Sequence, residues 1–114
     1  MAYLLPRIIG PVVLAALLTS PAAVAAETAG LEALRAAAVS GDADAQYELG
    51  ILYEFGYHLA DHKVLAYAWY ARAAAQGHAS AARRLDLLQP ALSQPEIERA
   101  RALARSLPAA ASGG

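Results

Sequence analysis

The chain contains no cysteine. Disulfides and thiolate chemistry are therefore excluded, and helix packing, a partner or self-association must stabilise a domain of this size instead. Tryptophan, phenylalanine and methionine occur once each. Large apolar contacts must come mainly from Trp69 and the tyrosines. The net charge of −1 shows no basic excess, which argues against nucleic acid as a general partner. No glycine-rich phosphate loop is present. Downstream of the first 26 residues the serines are Ser40, Ser80, Ser93, Ser106 and Ser112. Ser40, Ser80 and Ser93 are turn or helix-start residues, Ser106 is near a helix end and Ser112 is in the tail, whereas nucleophilic catalysis needs a serine with a positioned base. No pair of carboxylates is arranged for hydrolysis. These absences point away from an enzyme. No strand-like alternation occurs after residue 26, so the expected class is all-α.

What is there begins with a secretory pattern. Arg7 supplies a positive end, Ile8 to Leu18 is apolar, and Ala23-Val24-Ala25 fits a small-x-small cleavage site. Residues 1–26 are expected to be a signal peptide, cut near Ala25/Ala26, which makes the protein periplasmic or secreted. Pro11 and Pro21 interrupt the apolar run, and it is shorter than the roughly 20 residues a spanning helix needs, so no stable membrane span is expected after cleavage. The remaining charge is unevenly placed. Residues 27–62 hold seven acids and Arg35, a balance of −6; residues 63–114 hold seven bases and three acids, a balance of +4. Such halves could attract each other in separate copies, which makes a homo-oligomer one reading.

The helices follow from spacing and punctuation. Leu31, Leu34 and Ala38 form a stripe on a first helix, Leu31 to Val39. Gly41 can take the left-handed conformation that ends it, and Asp42 or Asp44 can cap the next. The second helix is expected from about Ala43 to Phe55, with Ala45, Leu49, Leu52 and Tyr53 on one face. Gly50 lies inside it at a cost of about 1 kcal/mol relative to alanine. That position makes sense where another helix backbone comes close. Gly56 to His62 is a loop. A third helix runs from about Lys63 to Gln76, with Ala66, Tyr70, Ala73 and Gly77 on one side. A fourth covers Ala79 to Leu88. Ser93 and Glu96 form a capping-box pattern that opens a fifth, to about Leu107, striped by Ile97, Ala100, Leu103 and Ala104. Residues 108–114 are a small-residue tail, expected to be disordered.

Sliding the chain against itself by about 36 residues aligns Ala37-Ala38 with Ala73-Ala74, Gly41 with Gly77, Ala45 with Ala81 and Leu49 with Leu85. The second and third helices carry Ala45-Gln46-x2-Leu49-Gly50-x2-Tyr53-x2-Gly56, then Ala66-x2-Trp69-Tyr70-x2-Ala73-Ala74-x-Gln76-Gly77-x3-Ala81. This resembles the Sel-one-like repeat (SLR) family, a branch of the tetratricopeptide group. His58 stands where the family has a second loop glycine, and His62 stands where it has a loop aspartate, with Asp61 beside it. The resemblance covers one full repeat, about residues 42–77, with half-repeats on either side, in a helical domain of residues 27–107. It implies a short right-handed α-α solenoid whose small residues are helix contacts. The packing positions would be Ala45, Leu49, Gly50, Tyr53, Ala66, Trp69, Tyr70, Ala73, Ala74, Gly77 and Ala81.

The resemblance also implies an adaptor that binds a protein or peptide. Tyr47, Glu48, Glu54 and Tyr57 are candidate partner-binding residues, because tyrosines are favoured at interfaces. An envelope regulator or inhibitor seated on a cell-wall or hydrolytic enzyme is a second reading. His58, Asp61 and His62 have metal-ligand chemistry but too few converging ligands, so neither a metal nor another cofactor is expected.

Overall fold

The structure, a computed structural model, describes residues 20–56 and 61–107. Its elements are α1 (Pro21–Val39), α2 (Ala43–Ile51), a π-helical turn (Leu52–Gly56), α3 (His62–Ala75), α4 (Ala79–Leu88), a 3-10 turn (Gln89–Ala91) and α5 (Gln94–Ser106). No strand occurs among the described residues, and the class is all-α. No helix among them is long and apolar enough to cross a membrane. Residues 1–19, most of the stretch expected to be a signal peptide, together with Tyr57, His58 and the tail, lie outside the described residues. The chain divides into two compact units, Met1–Glu32 and Ala33–Gly114. Of the first unit only the N-terminal part of α1 and Ser20 are described. The second holds everything discussed below.

Two helix boundaries differ from the sequence expectation. α1 begins at Pro21 rather than Leu31. The stretch Ala22-Ala23-Val24-Ala25-Ala26-Glu27 is rich in strong helix formers, and Pro21 opens it with a preset φ; the apolar stripe marked only the part with a packing face. α2 ends at Ile51, and the chain continues through the wider π turn to Gly56. π turns are short interruptions of helices, often where a side chain must be re-aimed. Here the turn carries Glu54, whose carboxylate points inward.

Local punctuation accounts for the remaining ends. Gly41 and Gly77 are the two described residues with positive φ, 110° and 90°. Each closes a helix in a Schellman arrangement: the Gly41 amide donates to Ala38 O and Asp42 N to Ala37 O, while Gly77 N donates to Ala74 O and His78 N to Ala73 O. Ser93 opens α5 with the expected capping box. Its Oγ accepts from Glu96 N at 3.3 Å, and its own amide donates to Glu96 Oε1 at 2.9 Å. The Ser93 bonds hold the Glu96 carboxyl below the usual carboxylate range.

α3 is the hub, packing against α2, α4 and α5. The sequence alternates alanine with large rings there, and Ala66, Tyr67, Ala68, Trp69, Tyr70 and Ala73 are all buried, as is Val64. A helix that is apolar around most of its circumference belongs in the middle of a domain. α5 lays Ile97 and Ala100 on the core and keeps Glu98, Arg99, Arg101 and Arg105 exposed. α3 also holds the far end of α5. The Arg72 guanidinium donates to Ala104 O at 3.2 Å and Leu107 O at 3.5 Å, placing a cation at the negative end of that helix.

Candidate functional site

The residues singled out from the repeat pattern converge on the α2–α3 hairpin. Ala45, Leu49, Gly50, Ala66, Trp69, Tyr70, Ala73 and Ala81 are buried. Tyr53 and Ala74 are half-buried and pack on the core cluster. Gly77 is exposed and serves as the positive-φ residue that ends α3. Gly50 lies beneath a side chain, not a helix backbone. A Cβ built on it would stand 2.6 Å from both Cδ1 and Cε1 of Tyr70 and 3.2 Å from Cγ. The ring takes the space that any larger residue would fill.

The Tyr70 phenol then reaches the π turn. Its Oη donates to Glu54 Oε1 at 2.7 Å. Arg84, on α4, donates to the same carboxylate through Nε at 3.2 Å and through one terminal nitrogen at 2.5 Å. Glu54 and Arg84 side chains are only 11% and 26% exposed, so this pair is partly desolvated. Burial, followed by the Glu54 carboxylate, pushes the Tyr70 phenol above its usual range. The bond to Glu54 raises Arg84 in turn. The candidate partner-binding residue Glu54 is thus engaged inside the chain. Its charge holds three elements together because the π turn aims it at Tyr70 and Arg84.

Tyr47 is also occupied internally. Its ring stacks on His78, with centroids 4.7 Å apart and planes at 25°, and lies 5.9 Å from Tyr70. His78 caps α4: Nδ1 accepts from Ala81 N at 3.1 Å, so Nε2 carries the hydrogen and donates to Asp44 Oδ1 at 2.9 Å. Of the three candidate partner-binding residues that are described, Glu48 alone is exposed; Tyr57 lies outside the described residues.

Asp42, not Asp44, caps α2, its Oδ1 accepting from Ala45 N at 3.1 Å. One junction therefore occurs twice, 36 residues apart. Asp42 and Ala45 do at the start of α2 what His78 and Ala81 do at the start of α4, each after a Schellman glycine. Asp61 precedes α3 in the cap position, but its side chain makes no cap bond and instead pairs with Arg99 of α5 at 2.6 Å.

Gln46 is the buried polar group that residue-by-residue reading missed. It is 0% exposed. Its amide nitrogen donates to Ala38 O at 3.0 Å, and its amide oxygen accepts from Gln76 at 2.8 Å. The side chain thereby ties the end of α1 to α2 and α3. Its position beside the Leu49-Gly50 motif, where the tetratricopeptide pattern has tryptophan, was the available signal. Phe55 and Leu87 were likewise not singled out, yet they are 62% and 67% exposed. The Arg84 guanidinium lies 5.0 Å from the Phe55 ring centroid.

The charge split is used within the chain. Glu54 meets Arg84 and Asp61 meets Arg99 as ion pairs that join the acidic half to the other half, and Asp44 accepts a hydrogen bond from His78. Among the described residues no three His, Asp or Glu side chains gather as metal ligands. No protein-family model, curated protein or solved structure matches the chain.

Proposed function

We propose that this chain is a non-enzymatic protein–protein interaction module of the Sel-one-like or tetratricopeptide kind, a short right-handed α-α solenoid acting in the periplasm or cell envelope. The observation that carries this reading is the doubled junction: helix end, positive-φ glycine, capping side chain and next helix recur 36 residues apart with the same hydrogen bonds. Repeating units of that length stack to share a core that one hairpin cannot close alone. The Gly50–Tyr70 contact supports it too, because both residues lie at positions of the family pattern. The Glu54–Arg84 and Asp61–Arg99 ion pairs match part of the uneven charge within one chain, without a second copy.

Two experiments test the proposal. Expression of the full chain in a bacterial host, with mass spectrometry of the periplasmic fraction, is expected to show a cut before Ala26 or Glu27; a full-length chain retained in the cytoplasm counts against export. That cut falls inside α1 and leaves the Ala33–Gly114 unit whole. Affinity capture from an envelope extract, with Glu48→Arg/Phe55→Ser as the control, is expected to recover one protein in stoichiometric amount with the parent chain and less with the variant. Stoichiometric loss of a hydrolase's activity would make the protein an inhibitor. A folded chain that recovers nothing removes the adaptor reading.

A further inference from the structure

We draw no further inference here: the strongest candidate, the exposed Phe55 ring of the π turn beneath the Arg84 guanidinium of α4, carries none, because nothing in the structure shows what covers it.

Discussion

The ring of Tyr70 rests on the bare backbone of Gly50, closer than any β-carbon there would allow. Glycine inside a helix costs about 1 kcal/mol relative to alanine. At this position the cost is offset by a fully buried tyrosine, whose hydroxyl reaches Glu54.

Gly50→Ala is therefore expected to destabilise the protein by roughly 1–3 kcal/mol, since overpacking outweighs the gain in helix propensity. Tyr70→Leu should cost a comparable amount or more. With the ring gone, adding Gly50→Ala is expected to be neutral or slightly stabilising. Chemical denaturation of the four members of this cycle measures the coupling. Additive costs would show that the two residues do not meet.

Gln46 offers a test of how polar contacts share a load. Ala38 O also accepts from Gly41 N, and Gln76 is exposed enough to reach water. Gln46→Leu should therefore cost only about 0.5–1.5 kcal/mol, the net value of an ordinary hydrogen bond. Gln46→Ala adds a cavity and should cost more, about 2–4 kcal/mol. Equal costs for the two would mean that packing volume plays no part.

Tyr70 makes stability depend on alkaline pH. Its folded-state phenol value is raised, so its contribution is complete below the ordinary phenol range, near pH 10, and declines as pH climbs above it. Thermal midpoints from pH 8 to 11 are expected to fall less steeply for Tyr70→Phe than for the parent chain. Arg84→Met leaves Glu54 partly buried without its cation and is expected to cost about 1–3 kcal/mol at neutral pH, less than a fully buried pair would because both side chains retain some exposure. Parallel pH slopes for Tyr70→Phe and the parent chain would remove Tyr70 from the account.

The two matching caps can be compared directly. Asp42→Ala and His78→Ala each remove an acceptor from a helix start; about 1 kcal/mol is expected for Asp42 and more for His78, whose ring also stacks on Tyr47 and bonds Asp44. His78→Asn keeps an acceptor and should recover the capping part of that loss. Amide exchange at Ala45 and Ala81 reads the caps directly. Unchanged protection at Ala81 in His78→Ala would show that the ring does not cap α4.

Much of the fold was legible because helix ends are local events. Gly41, Gly77 and the Ser93–Glu96 box each act within a few residues of themselves, and the structure places them as their spacing requires. The stripe on α5 was readable for the same reason, since one helix face repeats every three to four residues. The start of α1 was not, because helix propensity without a packing face leaves no periodic mark. Among the candidate site residues, the small packing positions were legible as a pattern, while Tyr47 and Glu54 looked free only because their partners lie far along the chain.

By itself the sequence determined the helical class, most helix boundaries and which helix positions are held by small residues. Each of these depends on backbone conformation and short-range spacing. Tertiary structure decided that the Tyr70 ring, not a second backbone, fills the gap at Gly50. It also decided that Glu54 serves Tyr70 and Arg84, that His78 closes α4 against Tyr47, and that Gln46 is sealed between three helices. Several of those pairings join residues 30 positions apart, and only the packed helices bring them within bonding distance.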